Sequence, residues 1–222
     1  MKYFYIFFLF MLLSCEGETY VEYNKTVTAV FNYSINTNDS IYIDFKTVDI
    51  TDLAAFLASS ANGSLPNHIQ TINIQSINLK TITNSNNTAI DMDVKTQVGR
   101  IPCEGGQIEN LTQFTTERNI PLIGGLADLW TTFKPLTINP EGVATTNSII
   151  ASILPAKSNR GPSNYWAQNC GSLAVYVNAK INPVTATTSM NLEVAVKFNI
   201  IYGNCEEDPF YNALAPGATC EF

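Results

Sequence analysis

MNLEVAVKFNIIY, residues 190–202, is the longest strict alternation in the chain. Met190, Leu192, Val194, Val196, Phe198, Ile200 and Tyr202 fall on one side of an extended segment, with mainly polar residues between them. A period of two is the pattern of a strand with one face in a core and one in water. Just upstream, Leu173, Val175, Val177, Ala179 and Ile181 repeat the pattern, and Asn182 to Ser189 supplies turn residues. The pair predicts a hairpin.

The same signature recurs towards the N-terminus. Val27, Ala29, Phe31, Tyr33 and Ile35 alternate with polar neighbours, Asn36 to Asp39 is a turn, and Ile41, Ile43 and Phe45 continue the alternation, a second predicted hairpin. In Ile69 to Thr83 the apolar positions shift phase between Ile74 and Ile77, which a β-bulge at Gln75-Ser76 accounts for. A turn over Asn84 to Asn87 then leads to Ile90, Met92, Val94 and Val98, the third predicted hairpin, with Asp91, Asp93, Lys95 and Gln97 on its wet face. DLAAFLASS, residues 52–60, is the best helix candidate, capped by Thr51 or Asp52. Residues 99–170 are broken by Pro and Gly; there Ile120 to Phe133 reads as a short helix and Val143 to Leu154 as another strand. The expected fold is mainly β: an antiparallel β-sandwich-like domain of seven or eight strands, with one or two short helices in insertions.

Composition narrows the function. The chain has 222 residues, enough for one sizeable domain, which we assign to residues 27–222. Twelve basic against nineteen acidic residues give a net charge of −7, so no nucleic-acid partner is expected. The only histidine, His68, lies at the entry to a strand, and no nucleophile elbow accompanies it. Asp91 and Asp93 share one strand face with Lys95 and read as a solvated stripe. Glu206, Glu207 and Asp208 could offer oxygens to a calcium ion but read more simply as an exposed loop. Catalytic residues, metal ligands and cofactors are therefore expected to be absent. Tyr165 and Trp166, in a polar loop, are the candidate contact residues.

The first fifteen residues are MKYFYIFFLFMLLSC. Lys2 precedes an apolar run from Tyr3 to Leu13, eleven residues long, the size of a signal-peptide core and too short for a membrane-spanning helix. Leu12-Leu13-Ser14-Cys15 resembles the lipobox of bacterial lipoproteins. That resemblance implies cleavage after residue 14, lipidation (palmitate among the acyl chains) at Cys15 and a tether over residues 15–26. Glu16-Gly17-Glu18 resembles the export signal of Bacteroidota surface lipoproteins, and Asp39-Ser40-Ile41 the O-glycosylation pattern of that phylum, at Ser40. The alternative is an ordinary signal peptide of a secreted protein, which six Asn-x-Ser/Thr sequons, at Asn24, Asn32, Asn38, Asn62, Asn86 and Asn110, would suit.

With Cys15 assigned to lipid, Cys103, Cys170, Cys205 and Cys220 remain, an even set that predicts disulfides in an oxidising compartment. Three pairings are possible; Cys205–Cys220 and Cys103–Cys170 are favoured, because the first closes the C-terminal tail and the second ties two loops. The expectation is a non-enzymatic, lipid-anchored cell-envelope protein on the outer membrane, facing the cell surface, acting as an accessory subunit among outer-membrane protein or lipoprotein partners. The alternative is a free-standing binding module for a glycan or another extracellular ligand.

Overall fold

The computed structural model describes residues 18–49, 52, 55, 68–103, 106–153 and 171–207. Eight strands follow in chain order: β1 (Glu18–Thr37), β2 (Ile41–Val48), β3 (His68–Thr83), β4 (Asp91–Ile101), β5 (Glu109–Pro121), β6 (Lys134–Pro135), β7 (Ser172–Asn182) and β8 (Thr188–Glu207). One helix, α1 (Pro140–Ile153), stands between β6 and β7.

The alternation at 190–202 becomes β8, and its apolar set is buried from Met190 to Tyr202. β8 is flanked by β1 along its whole length, from Glu18↔Glu207 to Thr37↔Thr188, and by β3 on the other side. Residues 18–26, expected to be tether, are therefore paired strand. The register of β3 on β8 slips between Ile74 and Ser76, the predicted bulge, and again between Ile69 and Thr71.

The three predicted hairpins do not form. The first sheet has the order β1-β8-β3-β6 and the second β2-β7-β4-β5, with every neighbouring pair antiparallel. β1 and β2, β3 and β4, and β7 and β8 thus lie in opposite sheets. Each predicted turn carries the chain across the sandwich instead. The β3–β4 crossing is hydrogen-bonded to the β7–β8 crossing, Thr88 N–H to the Thr187 carbonyl (2.8 Å), and to the start of β8, Asn84 N–H to that of Ser189 (2.9 Å), while the β1–β2 crossing is tied to β7, Ile181 N–H donating to the Ser40 carbonyl (2.8 Å). The one sequential pair that does lie side by side is β4–β5, in the stretch read as irregular. This strand order is that of a jelly roll, two interlocked Greek keys.

The core fills the space between the sheets. Ala29, Phe31, Tyr33 and Ile35 of β1, with the inner faces of β8 and β3, meet Met92, Val94 and Val98 of β4 and the β7 set. Tyr33 is fully buried, and its hydroxyl donates to the Val175 carbonyl at 2.8 Å, joining β1 to β7 across the layers. Tyr23 and Tyr202, cross-strand partners on β1 and β8, stack with ring centroids 5.4 Å apart.

The segment predicted as a strand over 143–154 is helix. Pro140 opens it, and the Asn139 side-chain oxygen accepts the Glu141 N–H at 3.1 Å. Gly142, Thr146, Ile149, Ile150 and Ile153 are buried at spacings of three and four, the helical period. Val143, Thr145, Thr146, Ile149, Ile150 and Ile153 are β-branched and favour a strand, and the cap and tertiary burial override that preference. α1 packs against β3, β5, β4 and β7. The helix expected over 120–133 is reduced to a single 3-10 turn, Ala127–Trp130. Trp130 packs partly buried against the core, while Leu126, Leu129 and Phe133 are exposed rather than inward. Of the helix expected over 52–60, Asp52 and Ala55 are helical and the rest lies outside the described residues. Its cap is earlier than predicted. Asp49 N–H donates to Asp52 Oδ2 (3.0 Å) and Asp52 N–H donates to Asp49 Oδ1 (2.9 Å), a reciprocal capping box.

Candidate contact surface

β2 is built the wrong way round for a core strand. The alternation predicts Ile41, Ile43 and Phe45 as the inward face; instead these side chains are 55, 52 and 43% exposed. Tyr42, Asp44 and Lys46 are the half-buried set, on the side of Val48, which reaches the core. The physical reason lies in the inward partners. Tyr42 hydroxyl donates to Asp44 Oδ2 (3.1 Å), Lys46 Nζ pairs with the same oxygen (3.1 Å), and Phe45 N–H donates to Asp44 Oδ1 (2.8 Å). Lys46 Nζ also sits 5.7 Å from the centroid of the Tyr33 ring, a cation–π contact. The inward polar groups are thus mutually satisfied, so the strand tolerates the phase that leaves its apolar row in water.

The electrostatics follow from that cluster. Burial pushes the Tyr42 hydroxyl up to about 12, with the Asp44 charge and hydrogen bond adding to it. Burial also raises Tyr33, and again the Asp44 charge adds. For Asp44, burial acts upward, but hydrogen bonds from Lys46, the Phe45 N–H and Tyr42 outweigh it and hold the carboxyl below its ordinary range.

β2 is an edge strand, paired only with β7 among the described residues. In register, Ile41 stands opposite Lys180, Ile43 opposite Asn178 and Phe45 opposite Tyr176. β4 continues this outer face with Asp93 beside Lys180, Lys95 beside Asn178 and Gln97 beside Tyr176. The face is therefore an apolar row bordered by charges of both signs. Asp91 and Asp93 have structural partners rather than a shared reaction site. Asp91 Oδ1 accepts from Asn182 Nδ2 (2.8 Å), and Asp93 Oδ1 accepts the Asn119 N–H (2.9 Å).

Two shallow grooves flank α1. One, about 570 Å³, is lined by Asn110, Leu111 and Thr112 of β5 and by Ala144, Thr145 and Ser148 of α1. Thr145 and Thr112 hydroxyls are 3.2 Å apart there. The other, about 180 Å³, lies between Gln70–Asn73 and the Asn147–Ala151 side of the helix. Neither brings together an acid–base pair, and among the described residues no group of three His, Cys, Asp or Glu could hold a metal ion.

The sequence-predicted site residues are scattered. Cys15, Tyr165, Trp166, Cys170 and Cys220 lie outside the described residues. Cys103 is disulfide-bonded. Cys205 stands on β8 opposite Tyr20, and Ser40 is half-buried in the β1–β2 crossing. The β2 row was visible in the sequence, but its phase was not: the apolar set reads as the inward one until the pairing of Tyr42, Asp44 and Lys46 is seen.

No protein-family model and no curated protein matches the chain. Among solved structures it is similar to Desmodium yellow mottle tymovirus (10% identity, 86% of this chain and 90% of that one, TM-score 0.33). It is similar also to turnip yellow mosaic virus (10%, 84% and 97%, TM-score 0.31) and to the 60-mer BFDV capsid protein (10%, 88% and 98%, TM-score 0.34).

These findings correct the expectations drawn from the leader. The solved structures just named are of viruses and a capsid protein, not of envelope lipoproteins. The lipid-anchored outer-membrane subunit facing the cell surface, its membrane attachment and its outer-membrane partners are set aside with the lipobox reading. Four residues, Leu12 to Cys15, carry that reading, and an apolar leader that ends in Leu-Leu before a small residue produces such a pattern without reference to the domain that follows. Among the described residues no helix is long and apolar enough to cross a membrane.

Proposed function

We propose that the chain is a free-standing, non-enzymatic jelly-roll module whose work is contact, and that it docks through the outer face of its second sheet onto a second copy of itself. The observation that carries this is the inverted strand β2, whose Ile41, Ile43 and Phe45 stay exposed while polar residues turn inward. A second copy is the occupant that fits, because the face is self-complementary. Asp93 lies beside Lys180 and two residues along β4 from Lys95, so a two-fold axis across the strands between the 93 and 95 positions sets Asp93 of one copy against Lys95 of the other and Ile41 against Ile43. Burying the exposed halves of three apolar side chains contributes about 1 kcal/mol each. That total is short of the ~8 kcal/mol of a micromolar complex, so the pairwise contact is weak and depends on the surrounding charges.

Sedimentation velocity over a concentration series tests it. The wild type should associate reversibly, more weakly in high salt, and Ile43→Asp should abolish association. A wild type that stays monomeric throughout, or a variant that associates as before, overturns the reading.

The groove between β5 and α1 favours a second reading, a neutral polar ligand such as a glycan, since amide and hydroxyl groups of Asn110, Thr112, Thr145 and Ser148 line it. Tyr165 and Trp166 are the aromatic candidates in that case. Thr145→Ala should weaken glycan binding if it holds. The Cys103–Cys170 and Cys205–Cys220 pairings belong to either reading. In support of the first, the β4–β7 ladder ends at Ile101↔Ser172, two residues short of each cysteine.

A further inference from the structure

Six sequons are in the chain, and five of their asparagines fall among the described residues: Asn24, Asn32, Asn38, Asn86 and Asn110. All five are exposed. Of the twelve other asparagines whose burial is described, only five are exposed: Asn36, Asn73, Asn84, Asn119 and Asn191. Asparagine is a surface residue in general, so exposure of one sequon would decide nothing. The contrast within one chain separates sequon asparagines from the rest. On β1 the geometry goes further. Asn24 and Thr26 point outward together, as do Asn32 and Ser34, because residues two apart share a strand face.

A second observation concerns the compartment. Cys103 is disulfide-bonded, which marks an oxidising environment. The apolar run from Tyr3 to Leu13 behind Lys2 fits the alternative reading of the leader, an ordinary signal peptide. Both belong to the secretory route, where sequons meet their transferase.

We infer that Asn24, Asn32, Asn38, Asn86 and Asn110 carry N-linked glycans. In each, the side-chain amide nitrogen bonds to the anomeric carbon of an oligosaccharide delivered on a polyprenyl pyrophosphate. The bond from that carbon to the pyrophosphate oxygen breaks, the lipid pyrophosphate leaves, and one amide proton passes to a base. The folded chain accommodates every product without moving a core residue, since each of these residues is already exposed. Ser40, the hydroxyl of the Asn38 sequon, then has a reason to be there that is separate from O-glycosylation.

The five positions are unevenly spread. Asn24 and Asn32 rise from the outer face of the first sheet, Asn38 and Asn86 sit in the crossings at one end, and Asn110 opens β5. None is on β2 or β7, so the Ile41–Phe45 row stays uncovered. This inference does not rest on the contact proposed for that row, and its test is separate.

The test is peptide mass spectrometry on the full chain purified from the cells that make it, before and after enzymatic release of N-glycans. The expected result is conversion to aspartate at three or more of the five positions, with a matching fall in intact mass. Unmodified asparagine at three or more of them overturns the inference. Thr26→Ala should remove the glycan at Asn24 alone, while Thr28→Ala, on the same face but outside a sequon, should leave it in place.

Discussion

Gly142→Ala is the substitution for which two physical arguments give opposite signs. Position 142 lies in the first turns of α1, and replacing Gly by Ala in a helix stabilises by up to about 1 kcal/mol through backbone entropy. The packing opposes this. A Cβ at 142 would stand 2.5 Å from the Gln113 carbonyl oxygen, 2.8 Å from Phe114 Cα and 3.0 Å from Phe114 Cδ2. Two of these three atoms are backbone of β5 and cannot rotate away. To restore an ordinary contact of 3.4 Å the helix must retreat by about 0.9 Å, which loosens Ile149, Ile150 and Ile153 in the core. Overpacking of this kind costs about 1–3 kcal/mol, so a net destabilisation of about 1–2 kcal/mol is expected after the entropy gain. For a chain of this size that lowers Tm by roughly 2–8 °C. Urea and thermal unfolding followed by circular dichroism measure it, with Gly125→Ala as the control. No atom lies within 4 Å of a Cβ at position 125, so that variant should be neutral or stabilised by up to about 1 kcal/mol. A higher Tm for Gly142→Ala would refute the claim that close approach to β5 decides this position.

Tyr33→Phe should cost about 1 kcal/mol in urea unfolding, because it deletes the hydrogen bond between the sheets to the Val175 carbonyl and little else; a loss above ~3 kcal/mol would show that the ring itself had moved. Alkaline pH should destabilise the fold. Burial raises Tyr33 and Tyr42, the latter to about 12, so the unfolded chain ionises first, near pH 10. Stability is then fully present below pH 10 and declines as pH climbs through the folded values; Tyr42→Phe should flatten that decline, and an unchanged profile would contradict the burial of the hydroxyl. Ile43→Asp should change stability by less than about 0.5 kcal/mol, whereas Val177→Asp, one strand away but fully buried, should prevent folding; thermal melts of both variants decide whether β2 faces as described.

Local chemistry was legible wherever it depends on residues near in sequence. The inward phase of β8 is set by seven apolar residues with no competing set between them. The bulge near Gln75 shows as a phase slip that no regular strand can absorb. The phase of β2 was not legible, because Ile41, Ile43 and Phe45 look like core until the mutual pairing of Tyr42, Asp44 and Lys46 against Tyr33 is seen. The helix over 140–153 was hidden by its Val, Thr and Ile content, although Asn139-Pro140 at its start was a readable cap.

By itself, then, the sequence determined a sandwich of antiparallel strands, where most of the strands lie, and which sides of the longest ones face inward. These follow from side-chain periodicity, which is local. Only the tertiary structure decided which strands are neighbours. A turn of a few residues serves equally to fold a strand back beside its predecessor or to carry it over to the opposite sheet, and nothing within the turn records the difference. That choice is made by burial on both sheets at once, and by the hydrogen bonds that tie the crossings to each other and to β7 and β8. It turned three expected hairpins into a jelly roll and left the apolar row of β2 facing water.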